Sequence, residues 1–152
     1  MSVRYLVVDG HSVIFSWPDL RALHDRNRAA ARKALADQLQ RLHDATHWRV
    51  TLVLDGKLGS AVSSRPSRRT DMVISYAMAD QTADSIIERL VAASGLAREI
   101  LVITADEAEK LTVESLGAVT ASPSWLRETL EREGASFSTE LDRIHHSARW
   151  KR

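Results

Sequence analysis

Cysteine is absent from the sequence, and 152 residues include only three prolines and six glycines. The first absence excludes a disulfide framework and any thiolate metal site, and it fits a reducing compartment, with the cytoplasm as the expected location. The scarcity of proline and glycine, beside 44% hydrophobic and 27% charged residues, excludes a fibrous repeat and gives no sign of disorder. Long hydrophobic runs are also missing. Stretches such as Tyr5 to Val8 and Ile100 to Ile103 fall far short of the roughly 18 to 20 residues that span a bilayer, so no membrane partner is expected. The segment from Met1 to Asp9 ends its short apolar run on a charge, unlike a signal peptide.

What is present is a chain of one-domain size, long enough to bury about 70% of the surface its unfolded form exposes. The net charge is only +1, but it is unevenly spread: residues 1–80 carry +4, residues 81–142 carry −7 and residues 143–152 carry +4. Such asymmetry allows one part of the molecule to hold an anionic ligand, although solvated helix faces produce it as well.

Short apolar or β-branched runs at Arg4 to Val8, Val50 to Leu54, Met72 to Tyr76 and Ile100 to Ile103 read as strands, with Ala118 to Thr120 as a weaker fifth. Most lack alternation, as expected of strands buried on both faces of a parallel sheet. Helical spacing runs from Asp19 to about Asp44, entered at Trp17-Pro18. A second helix spans Thr82 to Ser94, with Gly95 as its C-terminal cap. Glu107 to Leu116 and Pro123 to Glu133 follow, the latter with Ser122 as N-cap. Strands alternating with helices predict an α/β fold with a central, mainly parallel sheet of about four to five strands. The expected division is a domain over residues 1–134 and a basic C-terminal tail over 135–152 with room for a short helix. Gly56 to Asp71 joins two strands without helical period and carries Lys57, Arg65, Arg68 and Arg69, so it reads as a basic loop.

In an open parallel sheet, ligands bind beyond the carboxyl ends of the strands. Acidic residues collect there: Asp9 after the first strand, Asp55 after the second and Asp106 after the fourth. Asp84 lies in the first turn of the helix after the third strand, and Glu88 stands one turn further on. Each has a bland reading. Asp9-Gly10 and Asp55-Gly56 are turn dipeptides, and Asp84 suits a helix N-terminus. Asp106 with Glu109 three residues on fits a capping box. Their joint placement favours a metal site, because crowded carboxylates raise one another's pKa unless a cation compensates. An all-oxygen set suits Mg²⁺ or Mn²⁺, and phosphodiester hydrolysis is the chemistry such a site performs.

The runs Val7-Val8-Asp9-Gly10-His11-Ser12, Val53-Leu54-Asp55-Gly56, Thr82-Ala83-Asp84-Ser85-Ile86-Ile87-Glu88 and Val102-Ile103-Thr104-Ala105-Asp106 resemble the YacP-type NYN domains, a branch of the PIN-like nucleases. The resemblance covers about residues 4–134. It implies a PIN-like three-layer fold and a metal-dependent endoribonuclease. Its metal-binding acids would be Asp9, Asp84 and Asp106, with Asp55 beside them and Glu88 assisting. RNA, free or on a ribonucleoprotein particle, is the implied partner, contacted by His11, Lys57, Arg65, Arg68 and Arg69. Arg149, Trp150, Lys151 and Arg152 of the tail are further candidates for that contact.

One departure stands out. Family members usually read Asp-Gly-Tyr-Asn where this chain has Asp9-Gly10-His11-Ser12. A hydroxyl replaces a carboxamide that both donates and accepts, which alters substrate positioning or the metal's surroundings. A non-catalytic RNA-binding domain with a weakened site is the alternative reading.

Overall fold

The computed structural model describes residues 5–56, 72–78 and 80–133. Within them the chain forms β1 (Tyr5–Asp9), α1 (Gly10–Ser16), α2 (Pro18–Arg26), α3 (Arg28–Thr46), β2 (Arg49–Asp55), β3 (Val73–Ala77), α4 (Ala83–Ala93), β4 (Ile100–Ile103), α5 (Glu107–Ser115) and β5 (Val119–Ala121), then α6 over residues 123–133. The five strands are all parallel, in the order β3-β2-β1-β4-β5. From β1 the chain moves to one side through β2 and β3, then returns to the other side of β1 at β4. That reversal opens a crevice beyond the carboxyl ends of β1 and β4.

Strand residues point alternately to the two faces, and both faces are apolar. Leu6, Val8, Leu52, Leu54, Leu101 and Ile103 pack against α1, α2, α3 and α6 through residues such as Val13, Leu20, Leu35, Leu39 and Leu126. Val7, Val53, Ile100 and Val102 pack against α4 and α5 through Ile87, Val91 and Val113. Asp9 follows Val7 by two residues, so its side chain continues the α4 and α5 face.

The helices hold through this burial rather than through propensity. In α3, Ala31, Leu35, Leu39 and Leu42 are all buried, and each leucine contributes roughly 1.5–3 kcal/mol. The long helix expected over Asp19 to Asp44 is in fact two. Asn27 is extended, ends α2, and accepts the Ala30 N–H at 3.0 Å as the N-cap of α3. The short α1 was not legible because it begins on glycine and spans under two turns. Gly95 is not a left-handed cap: α4 ends on Ser94 in extended conformation, and among the described residues Gly117 (φ 103) after α5 is the glycine with positive φ.

Other expected boundaries hold. Pro18 opens α2, and the Ser122 hydroxyl accepts the Trp125 N–H at 3.1 Å to cap α6. The buried Trp17 donates its indole N–H to the Pro123 carbonyl at 2.9 Å, fastening the α1–α2 corner to α6. Gly10 matters for the site: a Cβ there would press into the Leu54 side chain and lie 3.0 Å from the Val53 carbonyl. Only glycine lets α1 start this close to β2, directly after Asp9.

Candidate metal centre

Three carboxylates from distant parts of the sequence meet at the crevice. Ligand-capable oxygens of Asp9, Asp84 and Glu109 all lie within 4.8 Å of one another. They come from the end of β1, the first turn of α4 and the first turn of α5. Asp9 and Glu109 are buried and Asp84 half-buried.

Asp9 is held by its neighbours. Its Oδ2 accepts the Ser12 hydroxyl at 2.8 Å and the Thr104 hydroxyl at 3.2 Å, and its Oδ1 accepts the Ser12 N–H at 3.4 Å, so that it also caps α1. Ser12 Oγ in turn accepts the Ala105 N–H at 3.1 Å, which ties α1 to the segment after β4. Thr104 Oγ1 accepts the Asp106 N–H at 3.1 Å and lies 3.2 Å from Glu109 Oε2. Two buried hydroxyls thus orient two of the three acids.

The N-terminus of α4 is satisfied without Asp84, because Thr82 and Ser85 form a reciprocal capping box at 3.1 and 3.2 Å. The acid in that turn is not spent on capping. At α5 the division of labour is different from the expected capping box. Asp106 supplies the cap, its Oδ1 accepting the N–H groups of Ala108 at 2.9 Å and Glu109 at 3.3 Å. Glu109 does not reach back to the Asp106 N–H, which Thr104 receives, and turns into the crevice instead.

The structure therefore brings Asp9 and Asp84 together and adds Glu109, while Asp106 stands exposed at the helix cap outside the trio. Asp55 ends β2, paired in register with Ala77 and two residues beyond Val53, the partner of Asp9. It shares the face of Asp9 one strand away. Glu88 is half-buried one turn after Asp84. Neither belongs to the trio. His11 is exposed and stacks its ring on Phe15 (centroids 4.4 Å), which meets His24 edge-on at 4.9 Å. Ser12 stands inside the site as a support for Asp9. Lys57, Arg65, Arg68, Arg69 and the tail bases lie outside the described residues. Sequence reasoning missed Glu109 and Thr104. The signal for both was Thr104-x-Asp106-x-x-Glu109, in which one acid caps and the other is left over.

The residues fit a divalent cation. Glu109 is 2% exposed, and among the described residues its Oε1 is buried without a hydrogen-bond partner. Burial pushes its carboxyl up to about 9, and the nearby Asp84 and Asp9 push the same way. An unpartnered buried oxygen facing two other carboxylates is costly unless a positive charge sits among them. A hard cation with oxygen ligands at about 2.1 Å has opposite ligands about 4.2 Å apart. Three ligands of one ion cannot all lie opposite one another, and neighbouring ones sit about 3.0 Å apart, so oxygens that now lie within 4.8 Å of one another would draw in around it.

Ser12→Ala removes the hydroxyl that holds Asp9 and leaves the Ala105 N–H without its acceptor. The expected result is a loss of about 1–3 kcal/mol in thermal unfolding, together with at least ~10-fold weaker metal affinity by titration.

The family profile of the YacP-like NYN domain matches residues 6–152. The chain is 31% identical over 131 residues to the uncharacterized protein YacP of Bacillus subtilis (strain 168), covering 84% of this chain and 76% of that protein. Among solved structures, Rae1 (YacP) from Bacillus subtilis superposes with a TM-score of 0.80 at 26% identity, covering 95% of this chain and 83% of the other. Its W164L mutant gives a TM-score of 0.77 over 92% and 82% of the two chains. With a profile match over nearly its whole length and a fold shared with these crystal structures, the chain belongs to the YacP-like NYN domain family.

Proposed function

We propose that this chain is a metal-dependent endoribonuclease that hydrolyses RNA phosphodiester bonds at Asp9, Asp84 and Glu109. NYN domains are typically nucleases, which makes nucleic-acid cleavage the coarse assignment. The observation that carries the finer one is the meeting of three carboxylates within 4.8 Å at the crevice, one with an unpartnered buried oxygen. These side chains would hold Mg²⁺ or Mn²⁺. When bound, such an ion supplies Lewis acidity, acidifying water and offsetting the charge that develops on phosphoryl oxygens.

The chain's own residues do the rest. Ser12 and Thr104 fix Asp9 in one orientation, so that no reorganisation is needed as charge develops. Glu109, whose carboxyl is pushed up to about 9 by its burial, would have to give up a proton to help hold a cation. Glu88, half-buried one turn after Asp84, would add negative charge beside the trio, and Asp55 stands one strand away from Asp9 on the same face of the sheet. His11, two residues after Asp9 and exposed with its ring tilted 35° against Phe15, would offer a face to an unstacked base, in keeping with RNA as substrate. Among the described residues no helix is long and apolar enough to cross a membrane. The absence of cysteine supports a cytoplasmic protein acting on RNA, either free or carried by a ribonucleoprotein particle.

Incubation of the full chain with structured and unstructured RNA tests the reading directly. Cleavage is expected with Mg²⁺ or Mn²⁺, none with a chelator, and a fall of at least ~100-fold in Asp84→Asn, since loss of a ligand should exceed loss of its supporting shell. RNA bound but left intact in every metal would make the chain an RNA-binding domain without catalysis.

A further inference from the structure

On the face of the sheet opposite the acids, the start of α3, β2 and the edge strand β3 border an open cavity of about 710 Å³. Its apolar floor is made by Leu54, Ile74 and Tyr76, and its wall carries Arg28, Arg32, Lys33 and the acid Asp37. Lys33 is paired with Asp37 at 2.7 Å. Among the described residues Arg28 and Arg32 form no ion pair, so the cavity keeps two uncompensated positive charges one helical turn apart.

The cavity opens at the same edge of the sheet as the acids. A 19-residue helix is about 28 Å long, and α3 delivers the chain to the amino end of β2, so its first turns overhang the carboxyl ends. Leu54 directly precedes Asp55 and pairs in register with Tyr76. The floor of the cavity thus lies one residue from the acid that ends β2, on the other face of the sheet.

We propose that the cavity is a second RNA-binding site, which holds a single-stranded stretch flanking the cleaved bond. Arg28 and Arg32 take backbone phosphates, and Tyr76 with its apolar neighbours receives an unstacked base. Charge selects a polyanion, and the recessed apolar floor selects a single strand, because a base paired within a duplex cannot enter it. This rests on RNA being the substrate of the metal centre, but the affinity it supplies does not require cleavage.

The test is binding of a short, fluorescently labelled, unstructured oligoribonucleotide to the full chain by anisotropy, in chelator, across a salt series. Arg28→Glu/Arg32→Glu is compared with Arg41→Glu/Arg98→Glu, an equal charge reversal at exposed positions away from the cavity. The cavity pair should weaken binding about tenfold or more and reduce the salt slope by about 1.4, or ~0.7 for each phosphate that is no longer neutralised. The control pair should change affinity by less than about twofold, as screened surface charges do. If the glutamate pair lowers the melting temperature, Arg28→Gln/Arg32→Gln gives the same reading with less repulsion. Equal affinity losses in both pairs, no RNA binding by wild type, or double-stranded RNA bound as tightly as single-stranded would each overturn the proposal. The two readings fail separately. Cavity variants that lose binding while wild type cuts nothing in any metal refute the nuclease and leave the cavity standing. Asp9-dependent cleavage with unchanged affinity in the cavity variants refutes the cavity alone.

Discussion

Glu109→Gln is expected to make the metal-free protein more stable above neutral pH while removing its response to divalent metal. The sign follows from the protonation of Glu109. Its folded value of about 9 lies above the ordinary 4.5, so between those values the folded state keeps a proton that the unfolded state has released. The contribution of this proton to stability is therefore complete below about pH 4.5, falls as pH rises through the window, and is gone once pH passes the folded value. A single proton gives a slope of about 1.4 kcal/mol per pH unit. Glutamine does not titrate, so chemical denaturation of Glu109→Gln in chelator should be flatter across pH 5 to 8, by up to that slope. Metal binding displaces the same proton, so wild-type affinity for Mg²⁺ or Mn²⁺ should climb with pH over this window, and the glutamine variant should show no such climb. A wild type whose metal-free stability rises from pH 5 to 8 would contradict this reading.

Asp9→Asn should abolish two properties together. In wild type, metal at 100 times its dissociation constant stabilises the folded form by about 2.7 kcal/mol, which for a chain of this size raises the melting temperature by roughly 5–10 °C. Asparagine is close to isosteric and can still accept from Ser12 and Thr104, so the fold should survive. It lacks the charge that draws the cation. The expected outcome is a melting curve unmoved by metal and RNA cleavage lowered by at least ~100-fold, read by calorimetry and gel assay on one preparation. A variant that keeps the thermal shift but loses cleavage would separate Asp9 from metal binding.

Asp9 and Asp84 were legible in the sequence for a simple reason. In a parallel sheet the residue after a strand, or in the first turn of the next helix, cannot avoid the carboxyl edge. Glu109 was hidden because three residues after Asp106 it had a sufficient local meaning as a capping partner. Only the packing shows that Thr104 has taken the Asp106 N–H and released Glu109 to the crevice. The break at Asn27 was similarly masked, since Leu20 and Leu23 continue into Ala31 and Leu35 at near-helical spacing. The same break exposes the first turn of α3, where Arg28 and Arg32 pass from an ordinary solvated face to the wall of a cavity.

Ser12 shows how a motif departure reads differently in three dimensions. In sequence it replaces the asparagine usual in the family. In the fold its hydroxyl and backbone N–H both serve Asp9, and its oxygen receives the Ala105 N–H. Here the position orients the acid through a short side chain assisted by Thr104.

The central claim is that Asp9, Asp84 and Glu109 share one divalent cation, and crystals of the full chain grown with Mn²⁺ test it most directly. The expected result is an anomalous difference peak in the crevice, roughly 2.0–2.3 Å from an oxygen of each of the three residues, with Glu109 Oε1 no longer without a partner. The contradictory result is a trio left without a peak at saturating Mn²⁺, or a peak bound by Asp106 with Glu109 turned away.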